Sequence, residues 1–104
     1  MKLTLPMSLS LHYGTAYRYN ERLFNSTKLF LNERLKNDGV LFLKDALIAL
    51  GFRVKNIPID DLRKAWIYRD KRSKVKMKFK EVTIRNGKNS YYTEFMVTFD
   101  VPDN

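Results

Sequence analysis

Apolar and polar residues alternate strictly over the first stretch of the chain. Leu3, Leu5, Met7, Leu9, Leu11 and Tyr13 take one phase, and Lys2, Thr4, Pro6, Ser8, Ser10 and His12 take the other. A period of two over this length predicts a half-buried β-strand across residues 3–13. Pro6 has no N–H to donate, so the strand belongs at a sheet edge or forms an arm that docks on a partner. Gly14 breaks the alternation, and Thr15 is placed to cap a helix. From Ala16 the apolar positions fall at 16, 19, 23, 24, 30, 31 and 35, with Thr27 among them, which is helical spacing. Asn37-Asp38-Gly39 is a stop signal, so a helix is expected over 16–36, about 31 Å long at 1.5 Å per residue.

The middle of the chain punctuates itself more often. Val40-Leu41-Phe42-Leu43 is a short apolar run that predicts a buried strand. Asp45 is positioned to cap a short helix through Leu50, which Gly51 ends. Pro58 opens a further helix over 58–66, with Asp60 and Asp61 at its positive end. That helix turns Leu62, Ala65 and Trp66 inward and Arg63 and Lys64 outward. The last third reads as a long antiparallel hairpin turning at Asn86-Gly87. Val75, Met77 and Phe79 alternate on the rising strand, and Tyr91, Thr93, Phe95, Val97, Phe99 and Val101 on the returning one. Val82 and Ile84 are out of phase with Phe79. A tight two-residue turn pairs Val82 with Tyr91, and a β-bulge at Lys80-Glu81 then restores the face, setting Phe79 against Thr93, Met77 against Phe95 and Val75 against Val97.

These elements predict one α+β domain over residues 1–104. It is winged-helix-like, with one long N-terminal helix, two short helices and a long C-terminal antiparallel β-hairpin. The long helix packs on a hairpin face made of Val75, Met77, Phe79, Phe95, Val97 and Phe99, with Phe30, Leu31, Leu47, Leu50 and Trp66 in the same core. The longest apolar runs fall far short of the roughly 20 residues of a membrane span. With 44% hydrophobic residues the chain can bury a core.

Charge changes the picture more than composition does. Twenty Lys and Arg stand against 11 Asp and Glu, a net charge of +9. The pleat that turns Val75, Met77 and Phe79 inward turns Lys74, Lys76, Lys78 and Lys80 outward. Arg69, Lys71 and Arg72 lead into this row, Asp70 being the sole acid between Arg69 and Lys80, and Arg85 and Lys88 flank the hairpin tip. Like charges stacked on one face repel, and a polyanion relieves that cost by releasing counterions. The plainer reading is a sheet edge protected from aggregation by lysines. Arg63 and Lys64, with Lys55 and Asn56 before them, sit where a winged helix carries its groove-reading helix. Tyr13, Tyr17 and Tyr19, interleaved with Arg18 and Arg22, are either a stacking platform or the junction of strand and helix.

Candidate chemistry is thin. Zero cysteines exclude disulfides, thiolate metal sites and a cysteine nucleophile. The single histidine, His12, points outward, and the carboxylates are scattered, Glu94 forming at most an exposed ion pair with Lys78. No catalytic residue, metal or cofactor is expected.

Two stretches carry a resemblance. Phe30-Leu31-Asn32-Glu33-Arg34-Leu35 and the run from Leu41 to Phe52 resemble a group of small proteins of phages and conjugative elements of Gram-positive bacteria. Trp66-Ile67-Tyr68 and Phe99-Asp100-Val101 are similar to later landmarks of that group. The likeness covers roughly residues 30–101, and the chain departs from it with Lys44-Asp45 in place of Asn-Glu and Ala65 in place of glycine. It implies a mobile-element origin and no assigned activity. The element order is also similar to winged-helix accessory proteins that bind the transfer origins of conjugative plasmids. The expectation is therefore a non-enzymatic, cytoplasmic DNA-binding accessory protein. Arg63, Lys64 and Lys55 approach a groove of double-stranded DNA, and Arg69, Lys71, Arg72, Lys74, Lys76, Lys78, Arg85 and Lys88 meet phosphates. The alternative is a protein-interaction module that docks on an acidic surface, or a homo-oligomer formed through residues 3–13.

Overall fold

The computed structural model describes residues 1–7, 13–85, 87–88 and 90–103; the side chains of 13–20 and 91–93 lie outside the description. The elements run β1 (Lys2–Pro6), α1 (Tyr13–Asp38), β2 (Val40–Phe42), α2 (Leu43–Ala49), α3 (Ile59–Leu62), β3 (Ala65–Ile67), β4 (Met77–Arg85) and β5 (Tyr91–Asp100). This is an α+β chain with a three-stranded antiparallel sheet, ordered β1-β5-β4, and a two-stranded ribbon of β2 and β3. The α1 helix, 26 residues long, covers about 39 Å. It lays Phe24, Thr27, Leu31 and Leu35 into the core, a stripe recurring every three to four residues. Val75, Met77, Val97, Phe99 and Val101 are buried on the facing side of the sheet, with Leu43, Ala46 and Leu47 of α2 and Trp66 closing one end.

The N-terminal strand pairs within its own chain. Leu3 lies opposite Phe99 and Leu5 opposite Val97, which buries the apolar phase and leaves Lys2, Thr4 and Pro6 exposed. Residues 8–12 of the expected strand, His12 included, lie outside the described residues. Tyr13, Gly14 and Thr15 belong to α1 and not to the strand, a break or a cap. A glycine in the first helical turn has no i−4 hydrogen bond to lose, so it does not delay the start.

Four further expectations are corrected. First, the helix predicted over 58–66 stops at Leu62, with Arg63 as its C-cap, and Ala65–Ile67 pairs with Val40–Phe42 as a strand. A short apolar run is ambiguous between the two states, and Trp66-Ile67 prefers extended backbone. The Trp66 indole N–H donates to the Asp100 carbonyl at 2.9 Å, which fixes the ribbon to β5. Second, Val40-Leu43 is not a buried strand: Leu41 is buried, Val40 and Phe42 are exposed, and Leu43 begins a helix. Third, Phe42, and not Asp45, occupies the N-cap of α2. The Leu43 N–H donates to the Lys64 carbonyl at 2.8 Å, so the neighbouring segment satisfies that helix end. Fourth, Phe30 is 55% exposed, because it lies one residue, about 100° of helix, off the stripe centred on Leu31.

The hairpin register also differs from expectation. The ladder runs unbroken from Met77 opposite Phe99, through Phe79 opposite Val97, to Arg85 opposite Tyr91, with no bulge at Lys80-Glu81. Val82 and Ile84 therefore share the face of Lys78 and Lys80. Register is strongly specified where a face is buried, and no residue of β4 beyond Phe79 is fully buried. The phase slip thus costs little at the distal end. Residues 86–90 span the connection in place of a two-residue turn; Gly87 takes φ +84°, the left-handed region that Asn-Gly sequences favour.

Candidate nucleic-acid interface

Burial of Val75 and Met77 decides where the lysines go. Alternation places Lys74, Lys76, Lys78 and Lys80 on the exposed face of β4 and the segment before it. β4 is an edge strand of its sheet, and across its edge runs α1. Lys28 and Asn32 of α1, Lys74, Lys76 and Lys78, and Lys2 of β1 bound one groove of 710 Å³, with Thr98 and Asp100 in its lining. Asn32 locks the seam, its side-chain oxygen accepting the Val75 N–H at 2.7 Å. The Lys28 ammonium lies 6.0 Å from the centroid of the Phe24 ring, within cation–π range. Among the described residues no ion pair engages Lys74, Lys76, Lys78 or Lys80. Asp100, whose N–H donates to the Lys76 carbonyl, is the acid in the groove lining.

The groove continues at both ends through shared residues. Towards the hairpin, Lys28 and Lys78 also line a cleft with Glu21, Phe24, Asn25 and Phe79. In the other direction, Asn32 and Lys74 line a cleft of 240 Å³ with Lys36, Tyr68, Lys71 and Glu33. Lys71 is carried there on a tight loop that leaves Arg72 exposed beside it. The Ser73 hydroxyl accepts the N–H groups of Arg69 and Asp70, and Asp70 Oδ1 accepts the Arg72 N–H at 2.7 Å. The one acid in the basic run is thus spent on shaping the loop that presents its neighbours.

The other expected contacts do not join this row. The Arg85 guanidinium donates to the Gly87 and Lys88 carbonyls at 3.1 and 3.0 Å, so it braces the hairpin connection. Arg63 borders a separate cleft of 430 Å³ with Phe42, Lys44, Ile59 and Leu62. Lys64 is half-buried and held by Asp103 at 3.0 Å and Asp61 at 3.6 Å. The hydrogen bond to Asp103 raises the Lys64 ammonium above its ordinary pKa and draws the Asp103 carboxyl below its own. Lys64 anchors the C-terminal segment through Asp103. Lys55 is exposed in a turn before α3. Glu94 lies opposite Val82 and not across from Lys78. The side chains of Tyr13, Tyr17, Arg18 and Tyr19 lie outside the described residues, so the aromatic cluster expected there does not enter the site.

Sequence reasoning missed Lys2, Lys28, Lys36, Asn32 and Tyr68. Helical spacing alone sets Lys28 and Lys36 outside the apolar stripe. Both flank the core stripe set by Leu31 and Leu35, and only the packed structure says which flank meets β4. Among the described residues no three His, Cys, Asp or Glu converge as metal ligands, and no helix is long and apolar enough to cross a membrane. No protein family matches the chain, and no curated protein or solved structure matches it either.

Proposed function

We propose that this chain is a non-enzymatic nucleic-acid-binding protein whose contacts are led by phosphates along β4, serving as an accessory factor of a mobile element such as a phage or conjugative plasmid. The observation that carries the reading is the row of Lys74, Lys76 and Lys78, engaged in no ion pair among the described residues and joined across the seam by Lys28 and Lys2. One or two lysines suffice to protect an edge strand, whereas this row repels itself and is relieved by a polyanion. The mobile-element origin rests on the sequence resemblance alone. A winged-helix mode of duplex contact draws on the order of helices and hairpin, but α3 has 4 residues and Lys64 is committed to its carboxylates. The reading therefore keeps the basic hairpin and gives Arg63 and Lys64 no base-reading role.

The test is fluorescence anisotropy with labelled oligonucleotides over a salt series. Substituting Lys74, Lys76 and Lys78 together by alanine is expected to weaken binding to all sequences alike. The slope of log K against log salt should fall by about 0.7–0.9 per lost phosphate contact. Arg63→Ala is expected to leave affinity and slope unchanged. Salt-insensitive binding, or a triple variant that binds as the parent does, overturns the reading.

A second reading, a protein-interaction module, is favoured by one observation. Val40, Phe42, Ile59 and Ile67 are exposed around the β2–β3 ribbon and α3, an apolar strip of the kind that marks contact surfaces. Phe42→Ser abolishing a function that the triple lysine variant retains would select it.

A further inference from the structure

We infer that the α1–β4 seam takes a single, extended nucleic-acid strand in preference to a duplex, with Tyr68 stacking a base at one end. This rests on the phosphate-led reading above and names its substrate. Two features of the seam argue for it.

The lysines alternate along β4 and the segment that leads into it. Alternate residues of a strand advance by about 6.7 Å, so Lys74 to Lys80 spans about 20 Å in three even steps. That step is of the order of the distance between neighbouring phosphates in an extended chain. A duplex strand winds away from any straight row within a few nucleotides, because duplex DNA packs a charge into every 1.7 Å or so of its axis by coiling two strands. A flexible single strand can follow the row phosphate by phosphate.

Aromatic rings lie at both ends of the charge row. Tyr68 lines the 240 Å³ cleft together with Lys36, Lys71 and Lys74. That volume is below the roughly 300–1,000 Å³ of drug-sized sites and admits one planar ring system. At the other end, Phe79 and Phe24 line the cleft shared by Lys28 and Lys78, their rings 5.6 Å apart and engaged with each other. Tyr68 packs one side against the core and lines the cleft with the rest of its half-buried ring. A basic groove that tracks the backbone and ends on an aromatic platform is how proteins hold single strands without reading sequence.

The experiment compares a labelled 15-mer of thymidine with a mixed-sequence 15-base-pair duplex at one salt concentration, using the full chain. The expected result is single-strand affinity tighter by about tenfold or more, and a loss of roughly 5- to 150-fold on Tyr68→Leu for the single strand alone. Tyr68→Phe is expected to bind as the parent does, which separates stacking of the ring from hydrogen bonding by the hydroxyl. A thermal melt of each variant checks that it folds; if Tyr68→Leu does not, Lys36→Ala with Lys71→Ala carries the same arm, with loss confined to the single strand. Equal or tighter binding to the duplex overturns the inference and leaves the phosphate-led reading standing. Binding to neither probe overturns both.

Discussion

Asn32 shows how one side chain can serve fold and site together. Its carboxamide oxygen accepts the Val75 N–H at 2.7 Å, which ties α1 to the segment entering β4 while the Val75 side chain is buried. An orphaned backbone donor at such a place costs about 1–3 kcal/mol. Asn32→Ala is therefore expected to destabilise the protein by about that much in urea denaturation. Asn32→Asp keeps an acceptor in position and is expected to retain most of the stability. It also sets a negative charge in the groove bounded by Lys28, Lys74, Lys76 and Lys78, so its affinity for an oligonucleotide should fall although its fold does not. An aspartate variant that binds as tightly as the parent would place the ligand away from this groove.

Among the elements, what could be read from the sequence and what could not divide along physical lines. The alternation Val75, Met77 with Val97, Phe99, Val101 and the stripe through Leu31 and Leu35 are periodic and buried, and periodicity is the signal that burial writes. The segment 58–67 is too short for a period to declare itself, so its apolar positions suggest one helix where the structure has a helix ending at Leu62 and a strand holding Trp66. Hairpin register was inferred from Asn86-Gly87, yet it is held from the other end by Met77 opposite Phe99 and by β1 on β5. The lysine row was legible as the complement of the buried positions; its partners on α1 were not, because they depend on how two distant elements pack. The same asymmetry predicts a gradient of stability along β4. Met77 is buried, and the amides near it should exchange only through large-scale opening, whereas Glu81 to Arg85 lie where no side chain is fully buried. Hydrogen exchange followed by NMR should show protection falling from Met77 towards Arg85. Uniform protection along the strand would mean that something covers the distal hairpin.

At the scale of the whole molecule, a charge of +9 is carried on an elongated body of 49 × 26 × 22 Å. The radius of gyration is 15.0 Å, where a compact chain of this length has about 13 Å. Spreading the charge lowers self-repulsion, but the Lys74–Lys80 row concentrates it along β4 and the segment before it, with Asp100 as the acid in the groove lining. Such clustering destabilises the folded state and is the kind of cost that a binding surface imposes. Removing Lys74, Lys76 and Lys78 should then stabilise the protein at low salt. A gain of about 1 kcal/mol raises the melting temperature of a domain this size by roughly 4–8 °C. Salt removes the repulsion in the parent as well, because the screening length shrinks from about 30 Å at 0.01 M to about 3 Å at 1 M. The melting temperatures of parent and triple variant should therefore converge as salt is raised. Adding a single-stranded oligonucleotide at low salt should lift the parent alone, since a ligand that binds only the folded state stabilises it by mass action. If the triple variant melts at or below the parent at every salt concentration, the lysine stems contribute packing that outweighs their repulsion, and the row is a structural edge guard.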